Sequence, residues 1–254
     1  KKAVLSLENN LQYRPCLVLN FEYGDEKFLP DSDREMAVSV KKQNGTFVYY
    51  KTTRDLAWEK VILKVVKRTG LKEDNGSYTL NGVSLLEPQN ALYFFVNWLN
   101  EKRPQLEGKG IEIKQQQLEK KFYTGHQKLE LKTQTKGDWF DVYAVVKFGE
   151  FSIPFIQLKK YILNDIREFE LPNGEIAVLP EEWFARYKGL LPFGKQQGEH
   201  IKFEKHHFTL LQNSIQEVDK DVKQKYAKLV NAEKESPVLP ANLRAKLRNY
   251  QEEG

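Results

Sequence analysis

The sequence predicts an α+β protein made of mixed small antiparallel sheets with packed helices, closed by a long amphipathic helix near the C-terminus. Three observations predict it. Strand-like segments pair around turn dipeptides such as Asn44-Gly45. Helical segments with one apolar face alternate with those strands. Phe208, Leu211, Ile215, Val218, Val222 and Leu229 follow a 3-4-3-4 spacing broken only at Lys225. The expected division is an N-terminal α+β unit over 1–135, a strand-strand-helix-strand-strand unit over 136–205, a connecting helix over 206–235, and a final segment over 236–254.

In the first unit, Met36–Lys42 and Thr46–Lys51 read as two strands. Asn-Gly between them supplies the two positive φ angles of a type I′ turn cheaply. Arg54–Thr69 reads as a helix, with Trp58, Ile62, Val65 and Val66 on one face and Lys60, Lys64, Lys67 and Arg68 on another. Gly70 follows as its C-terminal stop. Leu85–Asn100 predicts a second helix with Pro88 in its first turn and Leu92, Phe95, Val96 and Leu99 on its apolar face. Lys102–Gly110, with Pro104, Gly108 and Gly110, reads as a loop.

In the second unit, Trp139–Phe148 and Glu150–Ile153 read as strands around Phe148-Gly149. Pro154–Leu163 is a short helix turning Phe155, Leu158, Tyr161 and Ile162 inward. Ile166–Leu171 and Glu175–Leu179 form a hairpin around Pro172-Asn173-Gly174. Pro180-Glu181-Glu182-Trp183 opens another helix, with acidic residues in its first turn. The stripe over 206–231 demands something to lie on, the body of the chain being the first choice. Ser236-Pro237-Val238-Leu239-Pro240 ends it as an extended linker, and Leu243–Gln251 resumes helical spacing.

Composition removes several function classes. The chain has 254 residues, 40% hydrophobic and 30% charged, with 15 Phe, 12 Tyr and 4 Trp, enough to bury a core. Cys16 is the single cysteine, which excludes a disulfide scaffold. No stretch approaches the ~20 apolar residues of a membrane span, and no leader pattern opens the chain. A soluble intracellular protein without a membrane partner is expected. The net charge of +5 permits nucleic-acid contact without demanding it, because the charges are well mixed.

Catalytic and metal motifs are sparse. His126, His200, His206 and His207 form no HExxH, and one cysteine cannot build a structural zinc site. Cys16 sits beside Leu17, Val18 and Leu19, as a buried structural thiol would. Gly189–Gln196 matches G-x-x-x-x-G-K, but Gln196 stands where a Mg²⁺-holding hydroxyl belongs, and the segment follows a helix. A helix end followed by a turn is expected there. The Asn-x-Ser/Thr sequences at Asn44 and Asn75 read as turns. No metal site and no hydrolase site is expected.

The C-terminal residues Leu243-Arg244, Leu247-Arg248-Asn249-Tyr250-Gln251 and Gly254 resemble the L-R-x-Y-Q-x-x-G segment that opens the motor of Swi/Snf-family helicase-like ATPases. Asn249 departs from the proline that is frequent there. Asp138-Trp139-Phe140-Asp141, Phe151–Phe155 and Gly174–Trp183 resemble the accessory region ahead of that motor in bacterial members, so the resemblance spans roughly 136–254. It implies that Gln251 reads the adenine edge of ATP, supported by Arg248 and Tyr250, once a complete motor with ATP and Mg²⁺ is present. It also implies a cytoplasmic, nucleoid-associated parent that translocates on double-stranded DNA. The Walker loops are absent from these 254 residues, so the fragment itself is expected to be non-catalytic, its partners being its own motor, DNA and a protein partner. Lys60, Lys64, Lys67, Arg68, Lys159 and Lys160 are the candidates for DNA-backbone contact. The alternative is an autonomous, sequence-independent DNA-binding module. Trp139, Phe140 and Trp183 are expected as core aromatics.

Overall fold

The computed structural model describes residues 1–136, 139–204 and 207. The striped helix of 206–235, the 236–254 segment and Arg248, Tyr250 and Gln251 therefore lie outside the described residues. What is described is a mixed α/β fold with several small sheets.

The first unit runs β1 (Lys2–Asn9), β2 (Pro15–Tyr23), β3 (Glu26–Phe28), β4 (Met36–Gln43), β5 (Thr46–Thr53), α1 (Leu56–Arg68), β6 (Lys72–Asp74), β7 (Ser77–Thr79), α2 (Pro88–Glu107) and β8 (Ile111–Gln115). Its main sheet has the order β6-β7-β2-β1-β8, with β3 also on β2. The expectation of small antiparallel sheets is corrected at one pairing: β8 is parallel to β1, pairing Ala3 with Ile111 and Leu7 with Gln115. The reason is the long crossover through α2, which returns the chain in the same direction. Leu5, Leu7, Leu17, Leu19 and Phe21 of the sheet pack against Ile62 and Val66 of α1 and Phe95, Val96 and Leu99 of α2.

β4 and β5 form a separate two-stranded ribbon. Its turn has φ of 50° at Asn44 and 84° at Gly45, as the type I′ geometry requires. α1 starts at Asp55, whose carboxylate accepts from the Trp58 N–H at 3.0 Å. It stops at Gly70, in the left-handed region at φ 91°. The loop expected from Lys102 is corrected: α2 continues to Glu107 through Pro104. Proline there forfeits one helical hydrogen bond. Buried Leu106 and the Arg103–Glu107 pair at 2.8 Å hold the last turn.

Beneath the ribbon lies a buried ion pair. The Arg54 guanidinium grips Glu59 with two bonds, Nε–Oε1 at 3.1 Å and Nη2–Oε2 at 2.6 Å. Arg54 also donates to the carbonyls of Ser32 at 2.6 Å, Arg34 at 3.0 Å and Leu29 at 3.2 Å. The Tyr23 hydroxyl donates to Glu59 at 2.7 Å and accepts from the Asp55 N–H at 2.8 Å. Burial, first, and then the hydrogen bond to Glu59 push the Tyr23 pKa up to about 12.

The second unit runs β9 (Gln127–Lys136), β10 (Trp139–Phe148), β11 (Phe151–Pro154), α3 (Lys159–Leu163), β12 (Glu168–Glu170), β13 (Ile176–Val178), α4 (Glu181–Tyr187), β14 (Lys195–Gln197) and β15 (His200–Glu204). β9 pairs with β10 along its whole length, which places 127–136 with the second sheet. That sheet has the order β11-β10-β15-β14 with β9 on β10. Phe155, Leu158 and Ile162 point inward, as their spacing predicts, joined by Phe148, Phe169 and Tyr187. Trp183, expected as a core aromatic, is half-buried at the margin of this core, packed edge-on against Phe155 at 6.1 Å. After α4, a short 3-10 turn leads into β14, so Gly194-Lys195 opens a strand. Gly194 is pressed against Ile201 and Phe203, with space for no side chain.

Replacing Arg54 by Ala is expected to cost about 3–5 kcal/mol, because Glu59 is left buried and unpaired. Lys60→Ala, on the outer face of the same helix, is expected to change stability by less than about 0.5 kcal/mol. Urea unfolding compares the two. Gly194→Ala is expected to cost about 1–3 kcal/mol by overpacking, since its Cβ would stand 2.8 Å from the Phe203 ring.

Candidate functional site

Four of the candidate DNA contacts come together. Lys60, Lys64, Lys67 and Arg68 are all exposed on α1. The acidic residue of that helix, Glu59, is turned inward to Arg54, so the charges on the outer face of α1 are all cations, with Val61 exposed among them. Glu73 approaches one of them, at 3.8 Å from Lys67. Lys159 and Lys160 stand on the other unit, in α3. Lys159 is turned back, donating to the Gly194 carbonyl at 2.8 Å, and Lys160 lies over the Tyr161 ring at 5.0 Å.

Other candidates take structural places. Cys16 is buried, and burial raises its thiol pKa. Asp141 sits within β10, 8% exposed, with its carboxylate 3.6 Å from His200 on β15. No cluster of three metal-ligating side chains occurs among the described residues. No described helix is long and apolar enough to cross a membrane.

The ribbon was legible as a hairpin, but its exposure was not. One face carries Met36, Val38, Val40 and Lys42 on β4 opposite Thr53, Lys51, Tyr49 and Phe47 on β5. Met36, Val38, Val40, Phe47 and Tyr49 are all exposed. The ribbon contains three lysines and no carboxylate. Alternation along both strands was the available sign, since a ribbon with polar residues on one face and apolar ones on the other must cover the apolar side somewhere.

A cleft of about 860 Å³ lies where α2 meets the second unit. Asn90, Phe94, Asn97 and Glu101 form its helical wall, spaced along one face of α2. Gln127 and Arg167 form the opposite wall. With its amide turned to suit the surroundings, Asn97 donates to the Val178 carbonyl and accepts from Arg167, both at 3.3 Å. Asn100 Nδ2, Gln127 Oε1 and Arg167 Nε are buried without a hydrogen-bond partner. Amides, one guanidinium and the rings of Phe94 and Trp98, with the carboxylates of Glu101, Glu181 and Glu182, suit a polar planar ligand.

The same joint is held by charge. Glu168 on β12 accepts from the Tyr93 hydroxyl of α2 at 2.8 Å and from Lys120 at 2.5 Å. Burial pushes the Glu168 pKa up, but the Lys120 ammonium and the Tyr93 hydroxyl outweigh it, and the net shift is downward.

Comparison with protein-family models, curated proteins and solved structures finds no match to this chain.

A carboxylate whose folded-state pKa is depressed contributes stability above its ordinary value and loses it as pH falls through the folded-state value. Unfolding midpoints measured on acidification should therefore drop below pH 4.5, the ordinary value for this side chain. Glu168→Gln is expected to lower stability at pH 7 by about 1.5 kcal/mol or more and to flatten the acid-side decline.

Proposed function

We propose that this chain is a non-catalytic accessory region preceding a Swi/Snf-type ATP-dependent DNA translocase, where it positions DNA or a protein partner or restrains the motor. The observation that carries the proposal is the order of the resembling segments: Phe151–Phe155, then Gly174–Trp183, then Leu243–Gly254. ATP and Mg²⁺ belong to the motor, with Gln251, flanked by Arg248 and Tyr250, on the adenine side. The setting is bacterial and cytoplasmic, at the nucleoid. The first two segments supply a packed unit, with Phe155 and Trp183 in one aromatic cluster. A rigid unit of that kind suits a spacer or a restraint better than a loop would.

The test is the coding sequence downstream of Gly254. A motor-length continuation with a phosphate-gripping glycine loop and its acidic Mg²⁺ partner is expected. An unrelated continuation would end the proposal.

The second reading, an autonomous DNA-binding module, is favoured by the four exposed cations of α1, which no acid of that helix accompanies. Four phosphate contacts release about four counterions. Affinity for duplex DNA should then fall roughly a hundredfold between about 50 and 200 mM salt, whatever the sequence. Gel shifts of the 254-residue chain at both salts measure this. Replacing Lys60, Lys64, Lys67 and Arg68 by Ala is expected to abolish the shift; binding that survives the fourfold replacement, or is insensitive to salt, excludes α1 as the contact.

A further inference from the structure

The β4–β5 ribbon is short of what a sheet needs to stand in water. Two strands alone are marginal, and stability ordinarily takes a third strand or a packed helix over the apolar face. Among the described residues this ribbon has neither. It forms its own two-stranded sheet, and no backbone hydrogen bond from another described segment reaches the outer edge of either strand. Both edges therefore offer unpaired N–H and C=O groups. Five large apolar side chains lie exposed on one face, from 46% at Met36 to 71% at Tyr49.

We infer that the ribbon accepts an extended, acidic segment of a partner protein as a third strand. The main chain of the segment would pair with a free edge, and its alternate side chains would cover the apolar face. Register dictates the chemistry. Along β4 the face reads Met36, Val38, Val40, Lys42. A strand laid beside it places apolar residues at three alternate positions and a carboxylate at the fourth. Along β5 the face reads Phe47, Tyr49, Lys51, Thr53, which again selects apolar residues and one carboxylate.

Charge narrows the occupant. The ribbon holds Lys41, Lys42 and Lys51 and no carboxylate of its own. Lys41 is already engaged by Asp25 on the opposite face, which leaves Lys42 and Lys51 beside the apolar row. A second copy of this face brings two more lysines and no carboxylate to answer Lys42 and Lys51. A nucleic-acid backbone would answer the lysines but leave Met36, Val38 and Val40 without apolar partners. An alternating apolar strand ending in a carboxylate answers both. The base beneath is rigid, because Arg54 and its neighbours anchor the chain where the ribbon leaves the body.

The inference does not rest on the motor reading, and the 254-residue chain suffices to test it. The probe is a fluorescein-labelled peptide, Thr-Val-Thr-Val-Thr-Val-Thr-Glu-Glu, followed by anisotropy. A second peptide ends in Lys-Lys, and a third replaces alternate threonines by proline to remove ladder donors. The Glu-ended peptide is expected to bind at least tenfold tighter than either of the others. Lys42→Glu with Lys51→Glu should reverse the preference between the Glu- and Lys-ended peptides. Val38→Thr with Tyr49→Ser should weaken the Glu-ended peptide at least tenfold. These side chains are exposed, and an unchanged urea midpoint verifies folding of each variant. Equal binding of all three peptides, or no binding, overturns the inference. Displacement of the bound peptide by duplex or single-stranded DNA at equal concentration also overturns it, as does self-association of the chain that the Val38/Tyr49 variant abolishes.

Discussion

The Arg54–Glu59 pair is the constraint on which the first unit depends. Arg54 is the residue between the end of β5 and the Asp55 cap of α1, and nearly all of its side chain is buried. One guanidinium joins the start of a helix, the loop over 29–34 and, through Glu59 and Tyr23, the second strand of the main sheet. The Phe28 ring lies against its face at 5.2 Å. A buried pair of this kind adds little net stability relative to a well-packed apolar substitute. Its use is geometric: five donors in a rigid fork accept only one arrangement of carbonyls and carboxylate around them. That arrangement sets the direction in which the ribbon projects, and it turns the one acid of α1 inward so that the charges left outside are all positive.

α2 plays the corresponding part between the two units. Its inner face belongs to the first core through Phe95, Val96 and Leu99. Its polar residues reach the second unit. Tyr93 bonds Glu168, Asn97 bonds Val178, and Asn100 accepts from the Gly125 N–H at 2.8 Å. Arg103 donates to Thr124 through both the carbonyl and the hydroxyl. Each of these is a desolvated polar contact whose loss would strand a partner. The cleft beside them follows from the same spacing, because a helix that buries one stripe and bonds along a second leaves a third for solvent.

Much of the local structure was legible, because local rules decide it. Asn44-Gly45, Asp55, Gly70, Pro88 and Pro180 each mark a turn or helix end by their own backbone preferences, and each stands where those preferences put it. The inward set of Phe155, Leu158 and Ile162 was legible for the same reason. What failed depended on distant partners. Pro104 would end an isolated helix, yet buried Leu106 keeps the turn in place. Glu59 looks like one more surface charge on α1, and only Arg54 and Tyr23, brought in by the fold, make it a core residue. Of the candidate site, the lysine stripe of α1 was legible from its period. The cleft along α2 was not, since its second wall, Gln127 and Arg167, comes from distant parts of the chain.

The parallel partnership of β1 with β8 has a consequence for how the protein is made. β1 is an interior strand of its sheet, bordered on one side by its hairpin neighbour and on the other by residues that begin at Ile111. During synthesis from the N-terminus, that second border stays open until more than a hundred residues have left the ribosome. Loop closure over such a span is slow, and an apolar strand waiting with a bare margin is the species that aggregates. Vectorial translation thus gives this sheet a late-closing seam.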